Sequence, residues 1–519
     1  PYVRFEITCA HRDNVSDVQA GVGNPKVART IKDFRFDNSA HFGRDKYEQV
    51  WLFGAESSYD FGAGWTNKPD DTELRAIAEF MDAEGGVFAT GDHGALGSAL
   101  CGFVPRIRSM RMWFAQPGPS GEPAAPDMNS AQRNDTNRPG NPPSVGNAPV
   151  FDFDDQSDDI PQEIEPKMYS RHVGPLRRVS YPHPLLCGRA GVIRVLPDHP
   201  HEGECIEPWE LDREFDLAGY HVTEYPAATA GSVRPLPQVV ATSRVLAGNN
   251  VKTTTVAQSF GAIGAYDGSL AGVGRVAVDA TWHHFININL TGRASFGWPP
   301  DPKDVGFLYS TSGQAHYEAI KNYFRNLAVW LAPPASQACM RRCGIWLVIW
   351  DHRILEAVTP GLPLRLDRSS FLDVLWVGYH ARDVLGRFAG QCQSVEWLLD
   401  LIRPIVPIDL LERLHPWPPL PDPDPSPWLD ESLLLDLAIG GAVIALREEF
   451  PNPNGVRRRK SEREIDAAME RGARTGLAHG VESLQQSSRH VAALVDSLGN
   501  EQKGSRSKAT KRDKHTQRG

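Results

Sequence analysis

The stretch Gly85–Gly97, GGVFATGDHGALG, limits what this chain can fold into more than any other part of it. Val87, Phe88 and Ala89 form a short apolar run behind a helical segment, and Gly91 and Gly94 permit a tight turn. Ala95–Leu100 then reads as a helix starting directly after that turn. A strand that turns sharply into a helix sets Asp92 and His93 where doubly wound α/β folds keep their chemistry.

The geometry this predicts is that of a nucleophile elbow, G-x-S-x-G, with His93 at the central position instead of Ser or Cys. An imidazole serves as general base or metal ligand far more often than as a covalent nucleophile. The competing reading makes His93 a cap of the following helix or a partner of the backbone.

Around this stretch, strand-like and helix-like segments alternate from Tyr2 to about Trp330, the pattern of an α/β domain with a mainly parallel sheet. The expected strands are Val3–Thr8, Gln49–Phe53, Val87–Thr90, Val192–Leu196, Gln238–Thr242 and Arg275–Asp279. The clearest helix is Asp71–Ala83, where Leu74, Ile77, Ala78 and Met81 recur at helical spacing behind Pro69. A second helix, Ala315–Leu331, closes the domain. The domain is expected to span residues 1–333 and to carry a long Pro-, Gly-, Asn- and Asp-rich insertion, Gln116–Pro166. Within the insertion, Asp152, Asp154 and Asp158 offer calcium ligands, but the loop lacks the central glycine of an EF-hand and reads better as a solvated acidic loop.

After Pro334 the pattern becomes helical, with amphipathic segments at Phe371–Phe388, Val395–Leu401 and Leu433–Glu449. The proline-rich stretch His415–Pro427 is expected to act as a stiff spacer. Residues 334–450 therefore read as a helical region, and 451–519 as a polar helix, Ser461–Leu498, with a basic, disordered tail from Glu501.

With 519 residues and a net charge of -9, the chain is a globular protein that does not coat nucleic acid as a whole. Only the basic tail offers a contact for nucleic acid. Seven cysteines make no disulfide framework, and a reducing compartment is the simpler assumption. Cys339 and Cys343 lack the second Cys or His pair of a zinc finger. No signal peptide is visible, although the absent initiator Met leaves room for an upstream segment. The longest apolar stretch, Leu433–Leu446, contains Asp436 and falls short of the roughly 20 residues that span a bilayer. No membrane contact and a cytoplasmic location are expected.

Three further clusters carry histidines and carboxylates: PHPLLC at 182–187, PDHPHEGEC at 197–205, and DATWHH at 279–284. All lie at strand ends or in the loops behind them, and strand ends of a parallel sheet converge on one edge. His199, His201, His283 and His284 are the candidate ligands of a divalent metal, zinc before others, because neutral imidazoles and carboxylates are its ordinary donors. For the WHH end, one histidine is expected at the site and the other in the core, with the choice open. Glu202 and Glu204 are candidate general bases beside Asp92 and His93. Arg106, Arg108 and Arg111 in PRIRSMR, with His183, are candidate substrate-binding residues. Pairing of these arginines with the acidic loop is the other reading.

Three of these stretches, GGVFATGDHGA, HPLLCG and GVGRVAVDATWHH, resemble the ThuA-like (trehalose utilisation) family of the class I glutamine amidotransferase-like superfamily. The resemblance covers much of Tyr2–Trp330 and none of the C-terminal third. It implies a flavodoxin-like three-layer α/β sandwich with a pocket at the elbow, and it maps the family's histidines onto His93 and onto His283 or His284. It does not imply a glutaminase, because His93 stands where the amidotransferase cysteine would be. Cys101 lies a couple of helical turns beyond. Two functions are carried forward. One is a metal-assisted hydrolase, or a related enzyme, acting on a small polar substrate such as a carbohydrate derivative. The other is a non-catalytic module that senses a small molecule and contacts protein partners through its helical region.

Overall fold

The computed structural model describes residues 3–18, 20–54, 59–60, 64–65, 67–91, 96–114, 117–119, 121–122, 161–172, 178–197, 203–208, 210–229, 234–245, 257–280, 285, 290–292, 307–309, 311–358, 365–417, 432–451 and 461–513. The chain divides into two compact units. The first takes in 1–343, 386–397 and 407–429, and the second 344–385, 398–406 and 430–519.

The first unit is built on a six-stranded sheet. Its strands are β1 (Gln49–Gly54), β2 (Gly86–Gly91), β3 (Glu165–Pro166), β4 (Gln238–Val245), β5 (Gln258–Tyr266) and β6 (Val276–Asp279), in the spatial order β1-β2-β6-β5-β4-β3. The β1–β2 and β2–β6 pairs are parallel. The β6–β5, β5–β4 and β4–β3 pairs are antiparallel. The sheet is therefore mixed, and the expected mainly parallel sheet is corrected to a parallel half joined to an antiparallel half. In β5 all of Phe260–Tyr266 are buried, but Gly261 and Gly264 break the β-branched and aromatic pattern by which a strand is read from sequence. Gly261 is small because the Cys205 carbonyl lies where its Cβ would be.

Helix α1 (Asp71–Asp82) starts where the sequence predicts it, because Asp70 and Glu73 form a reciprocal capping box. Its Leu74, Ile77, Ala78 and Met81 are buried in one core cluster together with Val87 and Ala89 of β2. Phe88, between them on the strand, enters a second cluster with Ile320, Tyr323, Leu327 and Trp330. Successive strand residues face opposite ways, so α1 and the later helix carrying those four residues use opposite faces of β2. A single-turn helix, α2 (Ser98–Cys101), follows the elbow, and α3 (Thr311–Trp330) is the helix of the second cluster.

Helices α4 (Pro334–Val348), α5 (His352–Val358), α6 (Phe371–Ala389), α7 (Gln391–Ile402), α8 (Ile408–Leu414), α9 (Ser432–Glu449) and α10 (Glu462–Asp513) make the C-terminal part helical. In the second unit, every residue from Leu434 to Leu446 of α9 is buried, and the one charge among them, Asp436, pairs with Arg382 at 2.9 Å. Helix α10 runs to Asp513, and no proline interrupts the sequence from Glu462 to Asp513. Among the described residues, no helix is long and apolar enough to cross a membrane.

Candidate functional site

The parallel register of β1, β2 and β6 sets Gly54 beside Gly91 and Asp279 beside Thr90, so the three strands end at the same edge. Gly97 lies back against the ends of β1 and β2. Gly97, at φ 90°, packs so tightly that a Cβ there would lie 3.2 Å from the α-carbons of Gly54 and Gly91. Only glycine fits that close approach in a left-handed conformation, which is the physical content of the glycine-rich motif.

Arg111 ties this edge together. Its Nη2 donates to the Gly91 carbonyl at 3.1 Å, and Nε and Nη2 donate to the Ala280 carbonyl at 3.2 and 2.8 Å. The guanidinium stacks over Trp113, 4.4 Å from the ring centre. Gly203 N donates to the same Ala280 carbonyl at 3.1 Å, and a side chain at Gly203 would collide with the guanidinium. The strip 203–206 is laced between neighbours: Met112 N donates to Glu204 O, Cys205 N to Gly261 O and Ile206 N to Met110 O, at 2.9, 2.9 and 3.0 Å. Glu204 is half-buried in that strip. Thus Gly91, Ala280 and Gly203, each within three residues of a predicted site cluster, meet at one arginine.

Asp92, His93, His199, His201, Glu202, His283 and His284 themselves lie outside the described residues, as do Asp152, Asp154 and Asp158. Among the described residues, no group of three or more His, Cys, Asp or Glu is arranged to hold a metal ion. Cys339 and Cys343 are exposed on α4.

All three arginines of PRIRSMR are buried, at 1, 2 and 1 % exposure for Arg106, Arg108 and Arg111, and they do not line an opening as the substrate-binding reading expects. Arg106 donates through Nη2 to Asp82 at 2.6 Å and through Nε to the Glu224 carbonyl at 3.0 Å. Arg108 donates to Glu224 at 2.9 Å and to Glu122 at 2.5 Å. Glu122 lies in the insertion but not in its acidic loop, whose Asp152, Asp154 and Asp158 are outside the described residues. Burial pushes the Glu224 carboxyl up, while Arg108 and Arg106 pull it down. These guanidinium groups neutralise interior carboxylates that lie far away in the sequence.

His183 is also displaced from the elbow. Its Nδ1 caps the single-turn helix Pro184–Leu186 by accepting from Leu185 N at 3.4 Å, and its ring packs edge-on against Trp330, 4.9 Å between centres. It lines a cavity of about 30 Å³ with Gln238, Asp267, Glu396, His415 and Trp417. Asp267 is held by Arg275, at 2.9 and 3.1 Å, directly before β6, whereas Ala280 lies directly after it. His183 and Arg111 therefore sit at opposite ends of that strand. Burial lowers the His183 imidazole to about 3, so it is neutral at ordinary pH.

One group absent from the sequence reading of the site, Tyr323, joins a carboxylate of the DATWHH cluster, Asp279. Tyr323 of α3 donates to both carboxylate oxygens of Asp279, at 2.7 and 2.8 Å, and Asp279 is fully buried. A tyrosine in the middle of an amphipathic helix carries no sequence signal for that role. Cys101 is fully buried in the core and is not presented at the elbow.

No family model matches the chain, and neither does any curated protein or any solved structure.

Proposed function

We propose that the chain is a metal-assisted hydrolase or a related enzyme acting on a small polar substrate, in a site at the C-terminal ends of β2 and β6. The observation that carries this reading is the Arg111 knot. It joins Gly91, Gly203 and Ala280, the residues from which the chain leads to Asp92 and His93, to His201 and Glu202, and to His283 and His284. Imidazoles and carboxylates are the donor set of zinc, with His199, His201 and His283 or His284 as ligands. When bound, such a metal polarises a carbonyl or acidifies a water. Glu202 or Glu204 is the candidate general base, and His93 and Asp92 complete the site at the elbow.

A ThuA-like, flavodoxin-like three-layer sandwich is part of the proposal, supported by the use of opposite faces of β2 by α1 and α3. A carbohydrate derivative is the substrate class this membership implies. Glutaminase activity is not proposed, because His93 occupies the nucleophile position and Cys101 is locked in the core.

The test is elemental analysis of the purified protein beside the double variant His199→Ala/His201→Ala, with His93→Ala for turnover on sugar esters and lactones. Near-stoichiometric zinc in the parent, lost from the double variant, supports the enzyme. Absence of metal from both, or unaltered turnover in His93→Ala, overturns it.

One observation favours the sensing and interaction module as a second reading. In the second unit, Leu372, Trp376 and Tyr379 of α6 follow one another at helical spacing and are 68, 58 and 59 % exposed. An exposed aromatic stripe of that kind suits a protein partner. A metal-free protein that binds a small ligand without turning it over would satisfy this reading.

A further inference from the structure

The HPLLC segment ends in a cysteine that the proposed site does not use. Cys187 is 9 % exposed and Cys392 fully buried, and both are free thiols of the first unit, 205 residues apart in sequence. Cys392 is the second residue of α7. Its backbone N–H donates to the Cys187 sulfur at 3.3 Å, and its own thiol donates to the Pro182 carbonyl at 3.6 Å.

The surroundings hold the pair in place. Asn326 of α3 donates to the carbonyls of Leu185 and Cys187, both at 3.1 Å. Gly390, at φ 92°, makes the turn into α7, and a Cβ there would lie 3.6 Å from the Cys187 carbonyl. The Cys187 sulfur thus faces the first turn of a twelve-residue helix, where backbone N–H groups and the helix dipole favour an anion.

The two sulfurs are unlike. The Cys392 thiol and the N–H groups of Cys392 and Gln391 bring Cys187 down to about 7, against the opposing effect of its own burial. Burial pushes Cys392 well up. One thiol is set to attack as thiolate and the other to stay protonated until it is needed.

We infer that Cys187 and Cys392 form a redox-active dithiol that a small hydroperoxide oxidises to an intramolecular disulfide. The Cys187 thiolate attacks the terminal peroxide oxygen; an S–O bond forms, the O–O bond breaks, and hydroxide leaves and takes a proton to become water. Cys392 then loses its proton and attacks the sulfenic sulfur. The S–S bond forms as the hydroxyl departs with that proton as a second water. Two thiols are oxidised and one hydrogen peroxide is reduced to two waters. A peroxide is little larger than water, and Cys187 keeps a residual exposure of 9 %.

The experiment uses the full-length, fully reduced chain, stoichiometric hydrogen peroxide, quenching by alkylation, and peptide mass spectrometry. The expected result is a 187–392 cross-linked peptide that dithiothreitol reverses, with the loss of two free thiols per chain. In Cys392→Ser, a 1,3-dione should trap sulfenic acid at Cys187. In the untreated parent, alkylation of Cys187 should rise through a midpoint near about 7. Oxidation confined to the exposed Cys339 and Cys343, or a Cys187 that neither alkylates at neutral pH nor cross-links, would overturn the inference.

Discussion

Nε and Nη2 of Arg111 both donate to the carbonyl oxygen of Ala280, at 3.2 and 2.8 Å, closing the end of β6 with a side chain from outside the sheet. A charged donor in the interior is worth about 1.5–3 kcal/mol per hydrogen bond. Arg111→Met should therefore lower the stability of the first unit by about 3 kcal/mol or more, read as a shift of the urea midpoint. Arg111→Lys should recover little, because an ammonium cannot span Gly91 and Ala280 as the guanidinium fork does. A midpoint unmoved by Arg111→Met would show that the three chain segments are held by something else.

Beneath the same edge, Tyr323 supplies a hydroxyl to both oxygens of Asp279. Tyr323→Phe removes that donor from a buried carboxylate and should cost about 2 kcal/mol by thermal or urea unfolding. Asp279→Asn should cost less, since the amide oxygen still accepts from Tyr323. If Asp279→Asn proves the more damaging of the two, the carboxylate has a role that the Tyr323 contact does not explain.

His183 sets a pH dependence whose sign follows from burial. Its folded value, about 3, lies below its ordinary 6.5, so between those limits the unfolded chain binds more protons than the folded one. Stability is complete above 6.5 and falls as the pH drops, by at most about 1.4 kcal/mol per pH unit. Asp267 and Asp70 also titrate below their ordinary value, so their contribution is lost only in more acid solution. Burial also lowers His316 from the same ordinary value and raises Glu224, so the His183 share is read as the difference in slope between the parent and a His183 variant from pH 6.5 to about 5. His183→Asn keeps an acceptor for Leu185 N and should flatten that slope; an equally steep slope in the variant would assign it to other histidines.

What was legible in the sequence was local. β1, β2 and β6 announce themselves as apolar runs, and α1 by Asp70 and Glu73 at capping-box spacing. Antiparallel β5 was illegible because Gly261 answers to the Cys205 carbonyl, a partner with no sequence signature. Arg106 and Arg108 illustrate the same limit within the candidate site. Three arginines at short spacing suit an anionic ligand or a buried carboxylate equally, and only the folded positions of Glu224, Glu122 and Asp82 decide between them. His183 lies away from the elbow for a related reason: the motif indicated a strand end, but not which end of the sheet it would meet.

In the second unit, α9 and α10 approach backbone to backbone. A methyl group added at Gly472 would run into the Gly441 carbonyl, one at Gly441 into the Gly472 carbonyl, and one at Gly476 into the Leu437 carbonyl. Two effects of Gly472→Ala oppose each other. Alanine favours an isolated helix over glycine by about 1 kcal/mol. Against that, overpacking a close contact costs about 1–3 kcal/mol, and here the obstacle is backbone, which cannot swing aside. The steric term should win, so Gly472→Ala should destabilise the second unit while Ser487→Ala, at an exposed position on the same helix, stays within about 0.5 kcal/mol of the parent. Urea unfolding followed by far-ultraviolet circular dichroism reads both variants. A stabilised Gly472→Ala would mean that the propensity gain dominates and that the two helices stand further apart than their glycines indicate.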